Sequence, residues 1–335
     1  MRRTFGFGLI LNTIVFGLAL AAKVETPLPV ATFSIVAYDP VNGELGVAVQ
    51  SKFFAVGTVV PWAKAGVGAV ATQSYANTTY GPRGLTMLEA GMSPQQVMDS
   101  LTRSDEMRAR RQAGIINAKG NAVTYTGDSC LAWAGGKTGQ YYACQGNILV
   151  SQAVVEAMAA AYETSKGELA LRLLDAMEAG QRQGGDSRGM QSMALLVVKD
   201  QGGYSGYTDR YIDLRVDDAI DPFKEMRRLL RIQQGIKHLQ IAGRHYRDKN
   251  LEAAVKEAER AVLADPTNAD CHYDYACYLS LSGKREDALL ALKKTLQLNP
   301  KMADLAKKDG DLANIRPAVS FKKMVEEAEA KANKK

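Results

Sequence analysis

The sequence predicts a mixed α+β domain followed by an all-α domain. Over the first two thirds of the chain, short apolar and β-branched runs alternate with turn-forming residues, and they follow one another as hairpins rather than through helical crossovers. This pattern favours α+β layers with largely antiparallel sheets over a Rossmann fold. After Pro222 the pattern becomes wholly helical, and a length of 335 residues suits two domains.

The predicted α+β domain, residues 32–222, opens with a hairpin. Phe33–Tyr38 and Leu45–Gln50 are strand-type runs, and Asn42-Gly43 between them is a strong turn signal. The same criteria predict further strands at 59–62, 66–72, 111–116, 122–125, 193–198 and 211–216, and helices within 84–104 and 153–180.

The predicted helical domain, residues 223–335, contains an internal repeat. Positions 34 residues apart match, pairing Ala242 with Ala276, Ala254 with Ala288, Ala258 with Leu292 and Pro266 with Pro300. This period, with its small residues and closing proline, is typical of tetratricopeptide repeats, and residues 301–325 are expected to cap the array. Such repeats usually bind a protein partner. The alternative is that they pack on the first domain and stabilise a homo-oligomer.

The N-terminal segment has the pattern of a secretory signal. Arg2 and Arg3 precede an apolar run over residues 5–22, which ends in small residues. This predicts a signal peptide at residues 1–22, a spacer or propeptide at residues 23–31, and export to the periplasm or the cell exterior. The alternative is that the uncharged residues 4–22 remain as a membrane anchor.

Charge and cysteine content limit the classes of partner and cofactor. The net charge is +6, and residues 224–335 carry most of the basic excess, with 23 Lys+Arg against 16 Asp+Glu. Charges of both signs alternate along the predicted helices, which argues against a nucleic-acid partner.

Cys130 and Cys144 flank a glycine-rich turn and either form a disulfide or remain free thiols, whereas Cys271 and Cys277 are expected to be buried. No cysteine has metal-ligand spacing, so neither a metal nor an organic cofactor is predicted.

The histidines lie only after residue 222, at positions 238, 245 and 272. An enzyme within residues 32–222 must therefore work without histidine, which excludes Ser-His-Asp, Cys-His and most zinc schemes. A threonine whose own α-amine is the base meets this condition, and Thr32 opens the first predicted strand. Two alternatives stay open: Thr32 is an ordinary strand residue, or carboxylates in the acidic run 213–221 carry the chemistry.

Several short motifs occur here in the order in which they occur in one known family. They are Thr32–Ala37, Gly46–Lys52, Val60–Ala63, Ala71–Gln73, Gln145–Asn147, Gly184–Gly189 and Asp209–Asp218. On these motifs, residues 32–230 resemble the domain of unknown function 1028, which is assigned to the N-terminal-nucleophile (Ntn) hydrolase superfamily. The resemblance implies a four-layer α-β-β-α sandwich with Thr32 as the candidate nucleophile.

One feature of this chain departs from the family pattern. Typical members expose the threonine by losing the initiator methionine, whereas 31 residues precede Thr32 here. The mechanism needs a free α-amine, whose ordinary pKa of about 7.7–8.0 suits a base near neutral pH. Either the Ala31–Thr32 bond is cut, or this copy is inactive.

Further candidate site residues are predicted around Thr32. An ammonium at Lys52, which ends the second strand, would lower the pKa of the Thr32 amine. The loop Gly184–Gly189 would bring backbone N–H groups to a ligand or an oxyanion. The predicted catalytic residues are Thr32, Lys52, Asn77 and Asp186, and the predicted substrate-binding residues are Gln73, Asn147, Gly185, Ser187 and Arg188.

The sequence thus predicts an exported Ntn-type amidohydrolase acting on a small amide or peptide, with a repeat domain for protein interaction. The alternative is a non-catalytic envelope protein that binds partners, or acts as a scaffold, through its repeats.

Overall fold

The structure is a computed structural model that describes Val30 and residues 32–332. The predicted export signal, residues 1–22, lies outside the described residues, as does the predicted spacer apart from Val30. Within the described part of the chain, no helix is both long enough and apolar enough to cross a membrane.

The strands form two antiparallel sheets, which confirms the predicted mixed architecture. The six-stranded sheet has the order β10-β9-β2-β1-β8-β7, and the four-stranded sheet has the order β3-β4-β5-β6. The strands are β1 Thr32–Asp39, β2 Glu44–Ser51, β3 Pro61–Lys64, β4 Gly68–Ser74, β5 Arg111–Asn117, β6 Ala122–Thr126, β7 Gly135–Gly139, β8 Tyr142–Gly146, β9 Ser192–Val198 and β10 Arg210–Val216.

The opening hairpin forms as predicted. β1 and β2 pair from Thr32↔Ser51 to Asp39↔Glu44, and Gly43 in the turn has a φ of 67°, a conformation that favours glycine. The hairpin lies at the centre of the six-stranded sheet, with β8 on one side and β9 on the other. The first residue of the predicted domain is therefore held by pairing on both edges of its strand.

The strand pair β7–β8 is absent from the predicted strands, because the run of glycines around residue 135 predicts only a turn. The glycines serve close packing instead. A Cβ at Gly136 would lie 2.5 Å from the Thr124 hydroxyl oxygen on β6, and a Cβ at Gly139 would lie 2.4 Å from the Tyr142 ring. Only glycine allows β7 to approach these neighbours so closely.

Hydrophobic clusters show how the layers pack in residues 32–222. One cluster fills the space between the sheets, with Val36 and Val47 from one sheet and Ala71 and Ile116 from the other. A second joins the outer face of the four-stranded sheet to helices α1 (Tyr80–Glu89) and α2 (Pro94–Arg103). A third joins the outer face of the six-stranded sheet to α3 (Ala153–Thr164) and α4 (Leu169–Arg182). Both sheets are thus covered by helices on their outer faces.

The chain after residue 221 is helical, as predicted. Its helices are α5 Pro222–Arg247, α6 Leu251–Ala264, α7 Ala269–Leu281, α8 Arg285–Leu298, α9 Ala303–Lys308 and α10 Val319–Ala332. The matched alanines and Leu292 of the 34-residue period share one hydrophobic cluster, and Ala242, Ala254, Ala276, Ala288 and Leu292 are all fully buried. The repeat in the sequence is therefore a repeat of buried helix contacts.

The cysteines are free thiols in the described structure. The β7–β8 hairpin places Lys137, not Cys130, opposite Cys144, so the disulfide alternative does not form. Instead, the Cys130 thiol donates to the Arg111 carbonyl oxygen at 3.3 Å. Cys271 and Cys277 are buried, as expected, and burial raises the pKa of the Cys271 thiol to about 12.

Helix α5 belongs to both parts of the molecule. Its first turns bury Phe223, Met226 and Leu230 in the cluster beneath the six-stranded sheet, and the Phe223 ring stacks on Phe33 of β1 with centroids 6.5 Å apart. Its last turns place Ala242 in the cluster of the repeat helices. One continuous helix thus couples the strand that carries Thr32 to the repeats.

This coupling predicts that Leu230→Ala destabilises the protein by about 2–5 kcal/mol, since Leu230 is fully packed and the change leaves a cavity. Leu263→Ala is the matched control, because Leu263 is 74% exposed and the change should alter stability by about 0.5 kcal/mol or less. Urea unfolding of both variants measures the difference, and equal losses would show that α5 does not depend on its contact with the sheet.

Candidate functional site

Thr32 lies at the start of β1 on the face that looks toward the second sheet. Its hydroxyl donates to the Val30 carbonyl oxygen at 2.8 Å, and the Ser51 hydroxyl oxygen lies 3.2 Å from it, within hydrogen-bond distance. Ser51 is its cross-strand partner, so the pairing of β1 with β2 brings the two hydroxyls together. The Thr32 side chain is fully buried, and in the full chain its nitrogen belongs to a peptide bond.

A network of buried amides surrounds this end of β1. Ser34, Gln73, Gln112, Gln145 and Asn147 are all fully buried between the two sheets. They come from β1, β4, β5, β8 and the residue that follows β8, and alternation along each strand turns them toward one another. Polar side chains buried together in this way must satisfy each other's hydrogen bonds.

Gln112 and Gln73 connect the two sheets. The Gln112 Oε1 accepts from Gln73 Nε2 at 2.8 Å and from Asn147 Nδ2 at 2.9 Å. The Gln112 Nε2 donates to the Gly146 carbonyl oxygen at 2.7 Å. Gln73 Nε2 also lies 3.3 Å from the Thr32 carbonyl oxygen, and the Asn147 backbone N–H donates to that same oxygen at 3.0 Å. The backbone of Thr32 is therefore fixed from both sheets.

Ser34 completes the network on the strand that carries Thr32. Its hydroxyl donates to Gln73 Oε1 at 2.6 Å and accepts from Gln145 Nε2 at 2.7 Å. Among the described residues, Gln145 Oε1 and Asn147 Oδ1 are buried without a hydrogen-bond partner. The site therefore offers neutral donors and unused acceptors beside Thr32, which suits recognition of an amide group.

The loop Gly184–Gly189 lies at the same end of the six-stranded sheet, where β1 begins. Asp186 is buried, and its carboxylate accepts from the Lys52 backbone N–H at 3.1 Å and pairs with the Arg188 guanidinium at 2.9 Å. The loop backbone is joined to the segment after Asn147, because Ser187 N–H donates to the Ile148 carbonyl oxygen at 2.9 Å. Gly185 has a φ of 59°, so the loop needs glycine there. The structure thus brings Thr32, Asn147 and this loop together at one end of the six-stranded sheet.

Lys52 follows Ser51, but its ammonium bonds to a residue other than Thr32. The side chain is exposed, and its Nζ donates to the Met190 carbonyl oxygen at 3.2 Å. The reason is the alternation of side chains along a strand. Ser51 shares the face of Thr32, so the next residue is directed elsewhere and contributes its backbone N–H to Asp186.

Asn77 belongs to a different polar cluster. Its Nδ2 donates to Asp105 Oδ2 at 3.0 Å, as do the Tyr80 hydroxyl at 3.0 Å and the Arg111 Nε at 2.9 Å. Burial alone would raise the pKa of Asp105, but the hydrogen bonds from Arg111, from Asn77 and from the Met107 N–H outweigh it and lower the pKa to about 2. This cluster fixes the segment between α2 and β5.

Three residues of the site are absent from the residues predicted from sequence: Ser51, Gln112 and Gln145. Their signals were present. Gln112 and Gln145 are amides inside apolar strand patterns, where a buried polar residue calls for a partner. Ser51 is the residue that a regular hairpin register places opposite Thr32.

No group of three or more His, Cys, Asp or Glu side chains in residues 30 and 32–332 is arranged to hold a metal ion. The histidines lie on helices α5 and α7, away from β1. The chemistry available around Thr32 is that of hydroxyls, amides and backbone N–H groups.

The amide network predicts the effect of Gln112→Leu. The change removes the acceptor of Asn147 Nδ2 and should destabilise the protein by about 1–3 kcal/mol, the cost of a buried donor left unpaired. Gln95→Leu is the control, since Gln95 is exposed on α2. Urea unfolding measures both variants, and a Gln112→Leu protein as stable as the wild type would contradict the network.

The low pKa of Asp105 predicts a pH dependence of stability. Because the folded pKa lies below the ordinary value, Asp105 contributes stability above about pH 4, and this contribution is lost as the pH falls toward 2. Asp105→Asn should therefore lower the free energy of unfolding at pH 7 by about 2 kcal/mol and flatten its decline between about pH 4 and 2. Urea unfolding of Asp105→Asn across this pH range tests the prediction, and Asp99→Asn on the exposed face of α2 is the control. If the free energy of unfolding of Asp105→Asn declined between about pH 4 and 2 as steeply as that of the wild type, the low pKa of Asp105 would be refuted.

Comparison with known proteins identifies the family. The model of a family described as "Family of unknown function (DUF1028)" matches residues 32–226. A crystal structure of a protein from Silicibacter pomeroyi, itself described with the DUF1028 family model, is 30% identical. The likeness covers 59% of this chain and 84% of that chain, with a TM-score of 0.55. The curated proteins contain no match. The resemblance predicted from the motifs is thus confirmed at the level of the family, and this chain belongs to the DUF1028 family through residues 32–226.

Proposed function

We propose that residues 32–222 form an Ntn-type amidohydrolase in which Thr32 is the nucleophile once the residues before it have been removed. The observation that carries this proposal is the setting of the Thr32 hydroxyl. It lies at the start of a central strand, within 3.2 Å of Ser51, beside buried neutral amides, and with no histidine on the surrounding elements. A base is required for attack by a hydroxyl, and the free α-amine of Thr32 itself would supply it.

The proposed reaction cleaves an amide or peptide-like bond. The Thr32 oxygen attacks the substrate carbonyl carbon while the α-amine takes the hydroxyl proton, directly or through a water molecule. The amine then delivers that proton to the leaving nitrogen, and water hydrolyses the ester formed on Thr32. Asn147 Nδ2 and Gln73 Nε2, which both donate to Gln112 Oε1 in the full chain, would serve as the donors to the developing oxyanion.

The full chain supports a precursor state for this enzyme. Thr32 is fully buried, and its hydroxyl is directed to the Val30 carbonyl oxygen. Removal of residues 1–31 would take away that acceptor and the Val30–Ser74 bridge, and it would create the free amine. One cleavage would therefore both uncover the hydroxyl and generate its base.

The packing of the layers supports the superfamily assignment. Helices cover the outer faces of two antiparallel sheets whose inner faces share one hydrophobic cluster, an arrangement that suits the α-β-β-α sandwich of Ntn hydrolases. The loop Gly184–Gly189, held by Asp186 and Arg188, closes the same sheet edge and would line the substrate site with Gly185 and Ser187.

The rest of the chain completes the proposal. The secretory pattern of residues 1–22 supports export, and the buried 34-residue repeat supports a tetratricopeptide module that binds a protein partner or another copy of the chain. If Thr32 never becomes N-terminal, it stays buried and peptide-linked, and it has no route to a substrate. The second candidate function then applies, which is a non-catalytic envelope protein that acts through these repeats.

A peptide epoxyketone tests the proposed nucleophile. This reagent needs both groups of an N-terminal threonine, since the hydroxyl adds to the ketone and the α-amine opens the epoxide to give a morpholine ring. Incubation of the purified protein with a Pro-Val-Ala epoxyketone should label Thr32, as read by peptide mass mapping. Thr32→Ser should retain labelling, and Thr32→Ala should lose it.

Thr86→Ala serves as the matched control, because Thr86 lies on α1 and its hydroxyl donates to the Pro82 carbonyl oxygen of the same helix at 3.0 Å. Labelling of this variant should equal that of the wild type. An absence of adduct on wild-type Thr32 would reject the proposed function and favour the scaffold.

A further inference from the structure

Val30, two positions before Thr32, forms an isolated antiparallel bridge with Ser74. Val30 N–H donates to the Ser74 carbonyl oxygen at 2.6 Å, and Ser74 N–H donates back to the Val30 carbonyl oxygen at 3.0 Å. This antiparallel bridge places Val30 on the last residue of β4, opposite the end of β1 where Thr32 begins. The backbone of Ser74 thus holds the backbone of Val30 at two points, as a two-point clamp.

The Val30 side chain occupies an apolar site. It is only 4% exposed and belongs to the cluster between the sheets, together with Val56, Val60 and Ala71. An apolar side chain of this size is therefore bound, while its backbone is paired with Ser74. The Thr32 hydroxyl, 2.8 Å from the Val30 carbonyl oxygen, lies directly beside the clamped chain.

The acyl-transfer reaction at Thr32 relates the bound Val30 to the acyl part of a substrate. In self-processing, the Thr32 oxygen would bond to the Ala31 carbonyl carbon, the bond from that carbon to the Thr32 nitrogen would break, and the hydroxyl proton would pass to the nitrogen. Water would then hydrolyse the ester, leaving a carboxylate on Ala31. In turnover, the same oxygen carries the acyl group of the substrate. The acyl chain of the substrate and the segment before Thr32 therefore occupy the same place.

We infer that the Val30 position is the acyl-side subsite of the enzyme, an inference that rests on the proposed function. The site takes an extended peptide or peptide-like acyl chain that pairs with both backbone groups of Ser74. It binds an apolar, β-branched side chain at the second residue before the cleaved bond. The residue at the cleaved carbonyl is small, as Ala31 is in this chain. The leader segment is thereby a covalently attached first substrate.

Self-processing of the full chain provides the test, with the rate of cleavage at Ala31–Thr32 followed by intact mass. Val30→Asp should slow cleavage by at least about tenfold, because it buries an unpaired charge in an apolar site. Val30→Pro removes the N–H that Ser74 accepts and should slow cleavage several-fold. Val30→Ile keeps both features and should cleave within about twofold of the wild type. Thermal unfolding of each variant checks that the domain is folded.

A second measurement uses the processed protein and free peptides. Leu-Pro-Val-Ala, the sequence of residues 28–31, should protect Thr32 from the epoxyketone, and the same peptide with an N-methylated valine should not, because it lacks the donor to Ser74.

The outcomes separate the two proposals. A wild-type chain that is never processed overturns the proposed function and this inference with it. If the wild-type chain is processed, two results overturn only the assignment of the subsite. In the first, Val30→Asp and Val30→Pro are cleaved as fast as Val30→Ile. In the second, both peptides protect Thr32 equally.

Discussion

The site depends on one constraint, the hydrogen bonds that join amide side chains of the two sheets in the buried space between them. Gln73 and Gln112 belong to the four-stranded sheet and bond to each other. Gln112 also bonds to Asn147, and Gln73 bonds to the backbone of Thr32. Thr32 lies in the six-stranded sheet, and Asn147 lies in the loop that adjoins it. Apolar packing allows two sheets to slide, because the hydrophobic effect has no direction. Hydrogen bonds between buried amides do not allow such sliding, since a shift would leave buried donors and acceptors unpaired. The network therefore fixes where the start of β1 lies relative to β4.

Two other features of the molecule follow from the position of that strand end. The loop Gly184–Gly189 can close over the edge because Asp186 is anchored on the backbone N–H of Lys52, directly after the residue opposite Thr32. On the other face of the sheet, Phe33 stacks with Phe223 and so connects the same strand end to helix α5 and the repeats.

The sequence contained most of the fold and part of the site. The Asn42-Gly43 turn, the alternating runs and the 34-residue period are local patterns, and they predicted the antiparallel sheets and the helical region. The pairing β7–β8 was missed because its glycines serve close contact with Thr124 and Tyr142, which only the folded layers reveal. The predicted role of Lys52 rests on its charge, whereas the hairpin register places Ser51 opposite Thr32. Gln112 bonds to Asn147 from the facing sheet, and Asn77 bonds to Asp105. A linear pattern can indicate that a buried amide needs a partner, but it does not specify which residue that partner is.

The central claim is that Thr32 becomes the first residue of the working protein. The intact mass and N-terminal sequence of the protein recovered from the envelope of cells that produce it test this claim most directly. The account predicts a chain that begins at Thr32, with its hydroxyl uncovered and its amine free. A mature chain that begins at Ala22 or Lys23 and retains Val30 on Ser74 in active preparations would contradict it.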